Sequence, residues 1–340
     1  MIWRLTQKIY ERLLEGSFGH VCVGIYSRIP LYTKARRNIG FVPDPSNREH
    51  YNYEMVNKMR ILITGNRGFV GSATQEYLEA MGHTVIGYDL IDGYDIRDHC
   101  QLYERAKEYE VDRILHLAAI ARFAEADKDR HTAWSTNATG TRTVVDVANA
   151  LHIPLVYSST GSVYMPIHQE PPITEEFTVS GNSNYGCSKL RGEDAITKFC
   201  EGHWIILRYA HLYGKEKRYH GLIGGFLSRI ERGLAPTLYG GKQSNDFTYI
   251  KDVARANYLA LIAPSDKWRQ TYNIGSGEEL SAEDAGRIVC ECSGYRGDVE
   301  IKDQRTVDAQ RFVYDTKKAE EYLGFKAEYD FATGIKDMLK

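Results

Sequence analysis

The chain has 340 residues, enough to bury a large core in two lobes, and its 43 Lys plus Arg against 45 Asp plus Glu leave a formal charge of −2. A near-neutral chain without a basic stripe argues against nucleic acid as a partner, and no segment reaches the roughly 18 apolar residues of a membrane span. Six cysteines without a C-x-x-C pair read as reduced thiols rather than a metal centre or a disulfide framework; with no apolar leader followed by a small-residue cleavage site, the expected setting is cytoplasmic.

Residues 1–58 are rich in Tyr and Arg and precede the first clear strand. Ile2, Leu5, Ile9 and Leu13 fall at helical spacing and predict a short amphipathic helix, followed by a turn-rich stretch ending in Pro43-Asp-Pro45. Met59-Arg-Ile-Leu-Ile-Thr-Gly reads as a start in its own right. The first 58 residues are therefore expected to form an arm that covers the body of the chain, clamps a partner subunit or touches a membrane surface.

From Arg60 strand and helix patterns alternate. Arg60 to Thr64 is an apolar run ended by glycine; Val70, Ala73, Tyr77 and Met81 mark one helical face, closed by Gly82; Thr84 to Asp89 is a second strand. Later strands are expected at Arg113–Leu117, Leu155–Ser158 and Trp204–Leu207. This order predicts an α/β fold, a Rossmann-like, doubly wound parallel sheet. Beyond Arg208 the pattern turns irregular and glycine-rich, so a dinucleotide-binding domain is expected over 59–207 and a smaller substrate-binding lobe over 208–340.

Gly65-Asn-Arg67-Gly68-Phe69-Val70-Gly71 follows the first strand and opens the first helix. Glycines permit a tight turn and a close approach of backbone to a pyrophosphate, and the helix N-terminus supplies donors and partial positive charge. Asp89 ends the second strand, where a carboxylate accepts ribose hydroxyls and repels a 2′-phosphate, so NAD is preferred over NADP. Arg67, inside the loop, pulls the other way.

Tyr185-Gly-Cys-Ser-Lys189 carries the chemistry. Residues four apart share a helix face, so both side chains can point into one cleft. A phenol has a reference pKa of about 10, and a nearby ammonium favours the phenolate. Such a pair can take a proton from a sugar hydroxyl beside a hydride acceptor. Alone, a Y-x-x-x-K spacing is common on amphipathic helices; the preceding dinucleotide loop and Thr160 at a strand end give it meaning.

With His116-Leu117-Ala118-Ala119, Asn137-Ala-Thr-Gly-Thr141, Ser158-Ser-Thr160-Gly-Ser162-Val-Tyr164, Leu207-Arg-Tyr209, Asp246-Phe-Thr-Tyr-Ile-Lys-Asp252 and Tyr272-Asn-Ile-Gly275, these motifs resemble the extended short-chain dehydrogenases/reductases acting on nucleotide sugars, the NAD-dependent epimerases and dehydratases, and among them the nucleotide-sugar 4-epimerases. The resemblance covers nearly all of 59–340. It implies that Thr160 hydrogen-bonds the sugar 4-hydroxyl, that Tyr185 is the acid/base, and that Lys189 binds the nicotinamide ribose. It further implies that Ser158 and Tyr209 line the nicotinamide pocket, that Leu117, Ala118 and Ala119 pass beneath the cofactor, and that Asp95-Ile96 holds adenine. Asp95 comes only six residues after Asp89, so the intervening elements must be short.

The two residues after Thr160 decide the reaction. Dehydratases of this family carry Asp-Glu there and 3,5-epimerases an extra cysteine; this chain has Gly161-Ser162, which leaves 4-epimerisation or reduction of a 4-ketosugar. For the substrate, the resemblance implies Arg305 at the diphosphate, with Arg218 also a candidate there or near a sugar carboxylate, and His211 near the phosphates. Asn245 stands where an arginine is usual. Ser162 would line the sugar site, and Phe312 would gate sugar size, disfavouring an N-acetyl group. A UDP-hexose or UDP-uronate 4-epimerase is expected, with an NAD(P)H-dependent 4-ketosugar reductase as the alternative, a non-catalytic NAD-bound scaffold as a third class, and a homodimer as the assembly.

Overall fold

The structure, a computed structural model, describes residues 58–167, 169–215, 221–303 and 311–340. The expected arm falls outside them, apart from its last residue, as do Arg218 and Arg305.

Ile61, Leu62 and Ile63 are wholly buried in β1 (Arg60–Thr64), as expected of a parallel strand covered on both faces. β2 (Thr84–Tyr88), β3 (Arg113–His116), β4 (Leu155–Thr160), β5 (Trp204–Tyr209) and β6 (Gln270–Ile274) complete a six-stranded sheet in the order β2-β1-β3-β4-β5-β6, parallel throughout. The chain leaves β1 for β2 on one side and reaches β3 on the other. That reversal opens a crevice at the carboxyl ends of β1 and β3, where open α/β sheets bind their ligands.

α1 (Phe69–Ala80) follows the glycine turn at the place the periodicity predicts, and Gly82 adopts φ +87 just beyond it. After Asp89 one 3-10 turn, Leu90–Asp92, leads to α2 (His99–Glu108), so the connection is as short as the spacing demands. α3 (Phe123–Lys128) precedes α4 (Thr141–Leu151), whose buried Val144, Val145 and Ala148 cover the sheet. α5 (Asn184–Phe199) carries the Tyr-Lys motif.

β6 was not visible in the sequence pattern. Gln-Thr-Tyr-Asn-Ile has no apolar alternation, yet Tyr272, Asn273 and Ile274 are fully buried. Asn273 is satisfied inside: its Nδ2 donates to the Ile173 carbonyl at 3.0 Å and its Oδ1 accepts from Tyr164 Oη at 2.8 Å. The segment 208–340 therefore supplies the last strand of the dinucleotide sheet. It also supplies α6 (Ile250–Leu261), where Asn257 donates to Thr74 of α1 at 3.0 Å. The rest of that segment is built on short strands and the helices Gly221–Glu231 and Ala282–Ser293.

Candidate active site

The glycine turn is as tight as its sequence implies. Gly65 has φ +74, and a Cβ there would lie 2.7 Å from the Ala118 nitrogen; at Gly71 it would lie 2.1 Å from the Gly65 carbonyl oxygen. Gly68 caps α1 with no side-chain hydrogen bond, so the first backbone N–H groups of the helix keep their donors for a ligand. An unobstructed helix start at the sheet's switch point fits a dinucleotide diphosphate.

Asp89 is oriented by backbone. Its Oδ2 accepts from Arg67 N and its Oδ1 from Ile91 N, both at 3.0 Å. The Arg67 guanidinium turns away to Asp92, with Nε–Oδ2 2.9 Å and the second bond 3.0 Å. That pairing occupies the cation that pulled toward NADP. Asp95 is engaged by Arg97, and Ile96 is buried against Gly140, where an added Cβ would meet its Cδ1 at 2.6 Å. The Ile96 side chain is thus part of the core rather than a wall of the cleft.

α5 begins where Ser183 Oγ accepts from Gly186 N at 3.0 Å, which sets Tyr185 in the first turn. Thr160, at the end of β4, accepts from Ser162 N at 3.2 Å and donates to Ser162 Oγ at 3.3 Å; burial pushes the Tyr185 phenol up, and the Thr160 hydroxyl opposes that shift. The lysine-lowered phenol expected from the sequence is not reached in the protein alone, because desolvation dominates. Lys189, one turn on, is 2% exposed, and its Nζ stands 4.2 Å from the Tyr157 ring centroid. Burial lowers it from 10.5 to about 7, against the pull of Glu193.

Glu193 does not pair with Lys189. Its Oε1 accepts from Ser159 Oγ at 2.5 Å and from Arg208 Nε at 3.0 Å, and its Oε2 from the Arg208 guanidinium at 2.6 Å. Arg208 also donates to Tyr164 Oη at 2.8 Å. On β3, His116 is wholly buried and held well below its ordinary value by desolvation and then by Lys189. Thr141 donates to the Asn137 carbonyl, so it receives the Nε2–H of His116, and Nδ1 accepts from Thr64. This assigns a neutral His116 that braces strands. Asn137 links the loop after β3, through Ile120, to Ser188 of α5.

Of the site residues expected from the sequence, Val70, Leu117, Ala119, Ser158 and Thr160 line one cleft of about 1850 Å³. Ser162, Tyr185, Lys189, Tyr209, His211 and Phe312 line it too. Gly65, Arg67, Gly68, Phe69, Gly71, Asp89 and Ala118 belong to the turn and strand ends at the crevice. Tyr209 donates to Asn257 at 2.6 Å and Ser158 to the His116 carbonyl at 3.2 Å. Phe312 is 1% exposed and meets the His211 ring edge-on, centroids 5.3 Å apart. It also packs on Gly161: a Cβ there would lie 2.3 Å from the Phe312 ring and 2.9 Å from Tyr314 Oη. A side chain at 161 would require the Phe312 ring to shift. Sequence reasoning missed Glu193, Arg208 and the bracing role of Asn137, whose partners are 15 to 51 residues away. It also missed Phe123 and Asp127, for which no spacing signal exists.

The NAD dependent epimerase/dehydratase family model matches residues 61–275. A Methanocaldococcus jannaschii protein provisionally named a UDP-glucose 4-epimerase is 30% identical over 302 residues, covering 81% of this chain and 96% of its own. The UDP-glucose 4-epimerase of Thermotoga maritima, solved with UDP-glucose, superposes with a TM-score of 0.76 at 26% identity, over 83% of this chain and 97% of that one. The Thermus thermophilus UDP-glucose 4-epimerase, solved with NAD, does so with a TM-score of 0.72 at 27% identity, over 83% and 98%. The chain belongs to the NAD-dependent epimerase/dehydratase family of extended short-chain dehydrogenases/reductases, and is an NAD-dependent enzyme.

Proposed function

We propose that this enzyme is a nucleotide-sugar 4-epimerase that transiently oxidises C4 of a UDP-hexose or UDP-uronate, with Tyr185 as acid/base. The observation that carries the reading is that Thr160, Tyr185 and Lys189 line one cleft, with Gly161-Ser162, neither an acid nor a base, following Thr160. Eliminating water from a sugar requires a second acid or base; moving one proton and one hydride does not.

When bound, NAD supplies the hydride acceptor and donor, and a cationic ring that favours a neighbouring phenolate. The glycine turn and the open start of α1 hold its diphosphate, and Asp89 accepts its ribose hydroxyls. Lys189 binds the second ribose and, as an ammonium, favours ionised Tyr185. Tyr185 Oη takes the proton of the sugar 4-hydroxyl, with Thr160 holding both oxygens in line, and later returns it to the same oxygen. The cleft volume leaves the sugar room to turn about its diphosphate link between the two transfers.

The named substrate of the Thermotoga relative, UDP-glucose, supports a UDP-linked hexose. The reductase alternative leaned on Arg67 and on the short stretch after Asp89; Arg67 pairs with Asp92 at the surface, and the stretch after Asp89 is short as that alternative has it. A homodimer in the cytoplasm without nucleic-acid partners and a diphosphate contact through Arg305 or Arg218 belong to the same proposal; a clean domain division at residue 208 does not, since β5 crosses it and β6 returns to the same sheet. Incubating the purified protein with a panel of UDP-sugars, no cofactor added, and separating the products chromatographically tests it. C4 epimers should appear; product formed only with stoichiometric NAD(P)H would favour the reductase.

A further inference from the structure

α3 lies across the start of the catalytic helix. Two of its residues, one turn apart, meet consecutive residues there. The Phe123 ring stands edge-on to the Tyr185 ring, with centroids 5.5 Å apart and planes at 80°. Asp127 Oδ1 accepts from Asn184 Nδ2 at 2.8 Å. Both line the cleft. Phe123 is 52% exposed, and among the exposed large apolar side chains of the described residues it alone lines this cleft.

A half-exposed ring packed on one aromatic neighbour can serve as a platform. One face of a pyranose presents C–H bonds, and such a face lies well on an aromatic ring. A sugar bound at Tyr185 occupies the cleft that Phe123 also lines. Asp127 brings a negative charge to the cleft. Of the described cations lining the cleft, Lys189 is buried in the turn after Tyr185, Arg311 is held by Glu279 through two bonds of 2.7 Å, and Arg229 pairs with Glu300 at 3.6 Å.

We infer that Phe123 and Asp127 select the sugar, Phe123 by stacking on the pyranose and Asp127 by repelling a carboxylate, so that the substrate is a neutral hexose and not a uronate. The inference narrows the proposed function and rests on Tyr185 facing the sugar.

Calorimetric titration of the NAD-loaded protein with UDP, UDP-glucose and UDP-glucuronate tests it without requiring turnover. Wild type should bind UDP-glucose roughly tenfold more tightly than UDP-glucuronate, the scale of a solvent-screened like-charge contact. Asp127→Asn should close most of that gap with UDP unchanged. Phe123→Ala should weaken UDP-glucose by about tenfold with UDP unchanged, and Phe123→Trp should restore binding. Should Phe123→Ala lose bound NAD, Phe123→Leu, which keeps the volume but not the flat face, replaces it. Equal affinity for the two sugars in wild type, or equal weakening of UDP and UDP-glucose in the Phe123 variants, would overturn the inference. The acid/base reading fails separately, if Tyr185→Phe turns over UDP-glucose as wild type does.

Discussion

At Tyr185 two effects compete: burial favours the neutral phenol, and the Thr160 hydroxyl favours the anion. Replacing Tyr185 by Phe should lower kcat by about 10²–10⁴-fold, the usual scale for losing a positioned acid/base, while NAD remains bound, as read by the absorbance of cofactor released on denaturation. Lys189 is a stored strain. A lysine whose folded value, about 7, lies below its ordinary 10.5 binds fewer protons folded than unfolded, so its contribution to stability rises with pH between those values and is most unfavourable below about 7. NAD-free Lys189→Met should therefore melt higher than wild type at pH 6, with the difference shrinking toward pH 10. Its residual activity should need higher pH, because the phenolate has lost its cation. Tyr185 and Lys189 could be set on one face from the sequence because a helix turns residues four apart together, whereas Thr160, at a strand end, rested on the family resemblance. Glu193, Arg208 and Phe123 were not legible, because their partners meet them only in the folded chain.

The glycine turn, the first turn of α5 and the wall at 161 are the elements that set the chemistry. Gly161→Asp would introduce a carboxylate where a Cβ alone meets the Phe312 ring at 2.3 Å. It should cost about 1–3 kcal/mol of stability by overpacking and yield no dehydratase activity, read by thermal melting and product chromatography. Gly65→Ala should remove NAD binding, since φ +74 and the Ala118 backbone both oppose a side chain. Five of the six strands were readable from apolar runs bounded by turns. β6 was not, since its buried Asn273 exchanges hydrogen bonds with Ile173 and Tyr164, and such satisfaction leaves no apolar periodicity.

Across the whole molecule, one buried network ties sheet, catalytic helix and substrate side together: Ser159 of β4, Glu193 of α5, Arg208 of β5, Tyr164 and Asn273 of β6. Glu193→Gln leaves the Arg208 charge buried without its partner and should cost about 3–5 kcal/mol in denaturant titration, whereas replacing both by Met should recover much of that loss. The same network fixes the helix that presents Tyr185. An isotopic label at C4 tests the transient oxidation itself. UDP-glucose carrying deuterium at C4 is mixed with the purified protein, no cofactor added, and the products are read by mass spectrometry and NMR. UDP-galactose with the deuterium still on C4 is the expected product. No conversion unless reduced nicotinamide is supplied, or deuterium washed out to solvent, would contradict hydride transfer to and from a retained NAD.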